Sequence, residues 1–186
     1  PGIRKLISIM NDFGEVVVVA PEGPQSGKGH AITIEDTIRC DKVKIDDGPQ
    51  EEYSCSGTPV DCVKIAVNKL LTRRPDLCVS GINHGSNSSI NVIYSGTMSA
   101  AVEGSLEGIP SIGFSLLDYS HNADFSEGEE YVRKITESVL ESGLPEGVCL
   151  NVNIPKTEEG NEIKGIKVCR QAKANWEEEF DERQDP

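Results

Sequence analysis

Apolar positions along the 186-residue chain follow two different periods. Ile3, Leu6, Ile7 and Met10 fall at helical spacing and predict an amphipathic opening helix. Residues 11–14 read as its C-terminal turn. Residues 16–20, four valines and an alanine, form a continuous apolar run, as in a strand covered on both faces. Residues 21–29 are rich in Gly and Pro and must be a loop. Residues 31–45 alternate enough to suggest extended structure, ending at the Asp46-Asp47-Gly48 turn. Thr58-Pro59-Val60-Asp61 is a helix start: Thr58 caps, Pro59 fits the first helical position, and Asp61 suits the positive end of the helix. That helix runs to about Leu71 and stops at Arg73-Arg74-Pro75.

Further along, 77–79 is a short strand and 80–96 a polar loop, followed by a helix of small residues over 97–107. Gly108-Ile109-Pro110 turns the chain into a strand at 111–116. A helix over 127–142 and a strand over 149–154 follow, with a last candidate strand at 166–170. Residues 157–165 read as a polar loop, and 176–186 are acidic and without pattern. Strands alternate with helices, which predicts a single α/β domain over 1–186 with a Rossmann-like, mostly parallel sheet and helices on both faces. Ligands of such sheets bind beyond the carboxyl ends of the strands. Doubly wound folds open on a strand, whereas this chain opens on the helix that should follow one. The pattern therefore reads as incomplete at both ends, without a first strand and a C-terminal extension.

Composition narrows the function. Hydrophobic residues make up 37% of the chain, enough for a core, and no apolar run approaches the ~20 residues of a membrane span. Acidic residues outnumber basic ones 31 to 18, a formal charge of −13, which argues against a stable nucleic-acid complex. A phosphate substrate would have to be neutralised locally, by a metal ion, a helix N-terminus or a few placed cations. None of the six cysteines forms a CxxC pair, so a zinc cluster is not expected, and all six read as free thiols of a cytoplasmic protein.

The densest chemistry lies in Ser80-Gly81-Ile82-Asn83-His84-Gly85-Ser86-Asn87 and in Tyr94-Ser95-Gly96-Thr97. The first leaves a strand end, and the second enters a helix. Backbone N–H groups at that helix start, with the Ser95 and Thr97 hydroxyls, can cradle a phosphate, and Gly96 permits close approach. A plain turn with an ordinary N-cap accounts for the same residues. Asn83 and Ser26 offer neutral oxygens of the kind Mg²⁺ or Mn²⁺ accepts, but carboxylates are also needed, and no obvious one lies at this end of the sheet. Lys28 is either a phosphate contact or a solvated lysine. His30, His84 and His121 lack metal-ligand spacing, and no Ser-His-Asp triad follows from their order. Asp61 and Glu103 read as helix residues with structural partners.

Together with Ser26-Gly27-Lys28-Gly29-His30-Ala31-Ile32-Thr33 and Ser56-Gly57-Thr58-Pro59-Val60-Asp61-Cys62-Val63-Lys64, these segments resemble the ordered motifs of the SurE survival-protein family. Val18-Val19-Ala20-Pro21, and Glu103-Gly104 through Gly108-Ile109-Pro110-Ser111, match as well. The resemblance implies a Rossmann-like core, one divalent metal (Mg or Mn) and hydrolysis of nucleoside 5′-monophosphates, with 3′-monophosphates as further substrates. It implies Ser26 and Asn83 as metal ligands, Asn83 and Ser95-Gly96-Thr97 as catalytic, the same Ser95-Gly96-Thr97 with Lys28 as phosphate-binding, and assembly as a homodimer or homotetramer. The family's Asn-Asp-Asp-Gly segment, which supplies two aspartate ligands, has no match. Asn11-Asp12-Phe13-Gly14 imitates it at the amino ends of the sheet, the wrong side. The 186 residues alone are therefore expected to be inactive. A non-catalytic nucleotide-binding or regulatory module is the alternative reading.

Overall fold

The opening helix, α1 (Gly2–Met10), turns Leu6, Ile7, Ile9 and Met10 inward while Ile3 stays 38% exposed. A computed structural model describes residues 1–157, 162–177 and 179–183. After α1 come β1 (Val17–Pro21), β2 (Cys40–Val43), β3 (Glu51–Cys55) and α2 (Pro59–Ile65), which continues as a wide π turn over Ala66–Leu70. Next are β4 (Cys78–His84), a 3₁₀ turn (Ser89–Tyr94), α3 (Gly96–Leu106), β5 (Ser111–Leu117), α4 (Glu129–Ser142) and β6 (Cys149–Pro155).

The α/β class and the parallel pairing agree with expectation, but the strands form two three-stranded sheets among the described residues. In one, ordered β4-β5-β6, all pairs are parallel. In the other, ordered β1-β3-β2, β1 runs parallel to β3 and β2 antiparallel to it. β5 shows why the first sheet has two different faces. Ile112, Phe114 and Leu116 join Leu6, Ile9 and Met10 of α1 and Val132 and Val139 of α4 in one apolar cluster. The alternate residues Ser111, Gly113 and Ser115 turn to the other face, where a Cβ on Gly113 would run into Met98 and Ala101 of α3. Small residues let α3 lie this close: a Cβ on Gly104 would collide with Ser111 and Cys78.

Several sequence expectations need correction. The hydrophobic pattern carries no signal for β3, because its buried positions are a glutamate, Glu52, and a cysteine, Cys55. Of 31–45 only Cys40–Val43 is a strand. β1 is not covered on both faces: Val18 alone is buried, and β3 is its only partner strand among the described residues. β4 does not stop at Val79 but runs through the polar residues to His84, since Asn83 and His84 pair with Ser115 and Leu116 of β5. Asn83 is thus a strand-end residue and not a loop residue. Residues 166–170 form no strand and lie exposed. The polar stretch 157–165 and the tail 176–186 fall partly outside the described residues. Not all cysteines are free: Cys40 and Cys55 are disulfide-bonded, while Cys62, Cys78, Cys149 and Cys169 are free. The two partners stand opposite each other in the β2–β3 register, a proximity that their separation in sequence conceals. No described helix is long and apolar enough to cross a membrane.

Candidate functional site

The carboxyl ends of the parallel strands deliver the polar motifs to one edge. Register places Asn83 of β4, Ser115 of β5 and Asn153 of β6 in a row across the sheet. The loop after β4 is locked onto that row by Asn87, which is only 4% exposed. Its N–H donates to Asn153 Oδ1 at 2.9 Å and its Nδ2 to Ser115 Oγ at 2.7 Å. Its carbonyl accepts from Asn151 Nδ2 at 2.8 Å, and Asn153 Nδ2 in turn donates to Asn151 Oδ1 at 2.9 Å. Buried polar groups persist where they are hydrogen-bonded, and this network meets that condition. Sequence reasoning missed Asn151 and Asn153. The signal was present: two asparagines alternate through an otherwise apolar strand, Cys149-Leu150-Asn151-Val152-Asn153-Ile154.

Asn83 is oriented by the turn that follows it. Its Nδ2 donates to the Gly85 carbonyl at 2.8 Å, with a longer 3.4 Å approach to that of His84, so Oδ1 carries no hydrogen bond among the described residues. His84 turns away: its Nε2 donates to the Ser120 carbonyl at 2.6 Å, and its ring lies 6.1 Å from Phe125.

At the start of α3, Ser95 is the N-cap, its Oγ accepting from Met98 N–H at 3.0 Å. The cap uses the hydroxyl oxygen and leaves the O–H free to donate. The N–H groups of Gly96 and Thr97, in the first turn, have no partner within the helix. The loop that follows β1 docks on this turn. The Gln25 carbonyl lies 3.6 Å from where a Cβ on Gly96 would stand, which brings Ser26 beside the helix start. Gly29 has φ +56°, and a Cβ there would lie 2.6 Å from the Ile93 carbonyl oxygen, so a side chain at this position would push the loop off the turn. Ser26 and Lys28 are exposed, and neither side chain makes a hydrogen bond or ion pair among the described residues. The structure therefore brings Ser26 to Gly96, and sets Asn83 in the strand-end row. No hydrogen bond joins these two groups among the described residues.

Two buried acids stand behind the site. Asp61 (3% exposed) completes a capping box with Thr58 and also accepts from Thr33 N–H and, at 2.6 Å, from Thr33 Oγ1. Burial pushes its carboxyl up, but the Thr33 and Thr58 hydrogen bonds more than offset this and hold it below the ordinary range. Glu103 (5% exposed) accepts from Lys64 Nζ at 2.7 Å and from His30 Nε2 at 2.8 Å. Burial raises it, and those two partners lower it further than burial raises it. Burial, and then the Asp61 charge, push the Cys62 thiol up to about 12, which removes it as a nucleophile near neutral pH.

Fit to a divalent cation can be judged from the donors. Ser26 Oγ and Asn83 Oδ1 are hard oxygens without described partners, right in kind for Mg²⁺ or Mn²⁺. Both are neutral, and among the described residues no group of three or more His, Cys, Asp or Glu could hold a metal. The chain thus supplies part of a donor set. One carboxylate does lie just past the end of β5, contrary to expectation. Asp118 is 7% exposed, but it continues the Leu116 side of the alternation, away from Ser115, and is held by Ser120 N–H at 2.8 Å and Lys156 at 3.6 Å. Asp12 is no ligand in this geometry: it pairs with Arg133 at 2.7 Å, before β1 begins.

Comparison with known proteins identifies the family. The model of the family described as survival protein SurE matches residues 1–178. A 5′-nucleotidase SurE from Christiangramia forsetii is 67% identical over all of this chain and 72% of its own length. One from Flavobacterium psychrophilum is 64% identical with the same coverage. The crystal structure of the SurE protein from Aquifex aeolicus superposes with a TM-score of 0.83 at 43% identity, covering 93% of this chain and 68% of that one. A family match over residues 1–178, joined to relatives 64–67% identical over the whole chain, leaves one assignment: the chain belongs to the SurE family.

Proposed function

We propose that this protein is a metal-dependent phosphomonoesterase that hydrolyses nucleoside 5′-monophosphates to nucleoside and phosphate, and 3′-monophosphates as further substrates. The observation that carries the reading is the docking of the Ser26 loop on the first turn of α3, which sets an oxygen donor beside a helix start whose free N–H groups suit a phosphate. Relatives 64–67% identical to the chain bear the name 5′-nucleotidase. In this reading the Gly96 and Thr97 N–H groups and the Ser95 and Thr97 hydroxyls hold the phosphate, and Lys28 reaches it from the loop. Asn83 Oδ1 and Ser26 Oγ would be the chain's ligands to one Mg²⁺ or Mn²⁺. Such a cation supplies charge neutralisation at the phosphoryl oxygens, where a protein of net charge −13 would otherwise repel them. The Asn87–Asn151–Asn153 network keeps the strand-end row rigid, so that Asn83 is held before substrate arrives.

Self-association belongs to the same proposal: Val168, Trp176 and Phe180 are 95%, 60% and 86% exposed, an apolar set that a second copy would cover. Four free cysteines fit a reducing compartment such as the cytoplasm, where the Cys40–Cys55 pair would be open to reduction. The test is phosphate release from nucleoside monophosphates by the intact protein before and after EDTA, then with Mg²⁺ or Mn²⁺ restored. Activity that disappears in EDTA and returns with the metal supports the reading. Full activity in EDTA, or no phosphate release under any condition, overturns it.

A further inference from the structure

Between Gly23 and His30, the loop that carries Ser26 and Lys28 makes one non-local hydrogen bond among the described residues: His30 Nε2 to Glu103 Oε2 at 2.8 Å. Every other hydrogen bond of this stretch is local, Gln25 Nε2 to the Gly23 carbonyl and Lys28 N–H to the Gln25 carbonyl. The loop is tied at its two ends by backbone: Glu22 N–H donates to the Cys55 carbonyl at 2.8 Å, and the Ala31 carbonyl accepts from Thr58 Oγ1 at 2.7 Å. Between these ties, Gln25 and Gly29 hold the span to the α3 start by packing alone, and His30 supplies its one polar tie to the helix.

Glu103 is an unusual anchor for a loop. It is 5% exposed, it stands on α3, and each carboxylate oxygen has its own hydrogen-bond donor, Lys64 from α2 and His30 from the loop. The same helix presents Ser95-Gly96-Thr97 at its start. Glu103 follows Gly96 by two turns, about 10 Å along the axis, so neither it nor the His30 ring reaches a phosphate at the helix start. One rigid rod therefore carries the helix start at one end and, farther down, the clamp on the loop packed against that start.

We propose that Glu103 is a positioning residue which, through His30, fixes the Ser26–Lys28 segment against the first turn of α3 and so sets the distance between the loop's oxygen and cation and the bound phosphate. The inference rests on the function proposed above. Misplacement of a reacting group by about 1 Å costs up to ~100-fold in rate, so a loosened loop should lower turnover without unfolding the protein. Lys64 bonds the same carboxylate from the helix layer and does not touch the loop, which provides a control.

The test compares Glu103→Gln, His30→Asn, the double variant and Lys64→Gln in the intact protein, by backbone amide exchange over residues 22–34 and by nucleoside monophosphate hydrolysis at increasing Mn²⁺. Glu103→Gln and His30→Asn should each speed exchange in that segment about tenfold and raise the Mn²⁺ concentration for half-activation about tenfold, and the double variant should be no worse than the worse single. Lys64→Gln should leave both readouts within about twofold of the parent protein. Unchanged exchange in His30→Asn, additive losses in the double variant, or a Lys64→Gln effect equal to that of Glu103→Gln would overturn the proposal. Should Glu103→Gln fail to fold, His30→Asn against Lys64→Gln carries the comparison alone. If the parent protein releases no phosphate, the functional reading fails, while amide exchange still decides whether the clamp holds the loop.

Discussion

Glu52 of β3 is 2% exposed, and its Oε2 lies 2.6 Å from Nη1 of Arg4 on α1. Gln50 Nε2 donates to the other carboxylate oxygen at 2.8 Å. The pair ties the first helix to the β1-β3-β2 sheet, and Asp46 reinforces it at 3.2 Å from the same Arg4 nitrogen. Removing one partner of a buried pair leaves an uncompensated charge. Arg4→Leu should therefore cost about 3 kcal/mol, the low end for such a loss, because Arg4 keeps 30% of its side chain exposed. Urea unfolding measures it. A double Arg4→Leu, Glu52→Leu variant should recover much of the loss. A single-variant loss below about 1 kcal/mol would show that the pair is solvated in effect.

The same pair explains what the sequence could and could not disclose. Elements whose inward positions are apolar were legible: α1 from Leu6, Ile7 and Met10, β5 from Ile112, Phe114 and Leu116, and α4 from Val132 and Val139. The cap at Thr58 was legible because helix starts have their own chemistry. β3 was not, since a buried glutamate looks like a surface residue until Arg4, far away in sequence, is brought to it. The candidate site divides in the same way. Ser26, Asn83 and Ser95-Gly96-Thr97 stand in motifs that a chain reading can find. Asn151 and Asn153 show only as an alternation within β6, and their bonds to Asn87, like the His30–Glu103 contact, form only once β6 and α3 are folded beside them.

Cys40 and Cys55 face each other across β2 and β3, and Ser56 N–H donates to the Arg39 carbonyl at 2.9 Å just beyond them. That neighbouring bond marks Cys40–Cys55 as a non-hydrogen-bonded pair, where side chains come closest. The bridge spans 15 residues of chain. Closing a loop of that size restricts the unfolded chain by roughly 3 kcal/mol. Cys40→Ala should thus lower stability by about 2–3 kcal/mol, read as a lower thermal midpoint, and dithiothreitol should lower the parent protein's midpoint by a similar amount but leave Cys40→Ala unaffected. An unchanged midpoint on reduction would mean that the two thiols are not joined in solution.

Acid stability should depend on Asp61. Hydrogen bonds from Thr33 and Thr58 hold its folded-state pKa below the ordinary value despite burial. Glu103 is held low in the same way, burial being outweighed by Lys64 and His30. For a carboxylate whose folded pKa is depressed, the stabilisation is complete above the unfolded pKa, about 3.9 for Asp and 4.3 for Glu, and is lost as pH falls through the folded value. The thermal midpoint should stay level from about pH 7 to 5 and fall below about pH 4. Relief of repulsion on a chain of net charge −13 acts in the opposite sense, so the variant comparison is what isolates these groups. Asp61→Asn should be less stable than the parent at pH 7 and show a shallower acid limb. Parallel acid limbs in the two proteins would exclude Asp61 as a source of the pH dependence.

Asn83 offers the sharpest separation of function from stability. It sits next to last in β4, opposite Ser115, at the carboxyl end of the sheet where ligands of parallel folds bind. Its Nδ2 is spent on the Gly85 carbonyl at 2.8 Å, which fixes the amide and leaves Oδ1 without a described partner. Asn83→Ala removes one hydrogen bond from a half-buried position, a loss of about 1 kcal/mol. In the proposed mechanism it also removes one of only two oxygen donors that the described chain brings to the cation. Loss of a group that merely orients a metal ligand typically costs 10–100-fold, and loss of a ligand itself should exceed about 100-fold in kcat/KM. Asn83→Asp provides the complementary case. It replaces a neutral oxygen by a charged one, so it should retain metal activation and shift the metal preference, while the substrate's KM rises through repulsion of the phosphate. Thermal midpoints and kcat/KM measured side by side at saturating Mn²⁺ decide the matter. If Asn83→Ala unfolds several degrees lower and its folded fraction turns over at the parent rate, Asn83 serves the Gly85 turn alone and the proposed ligand role is wrong.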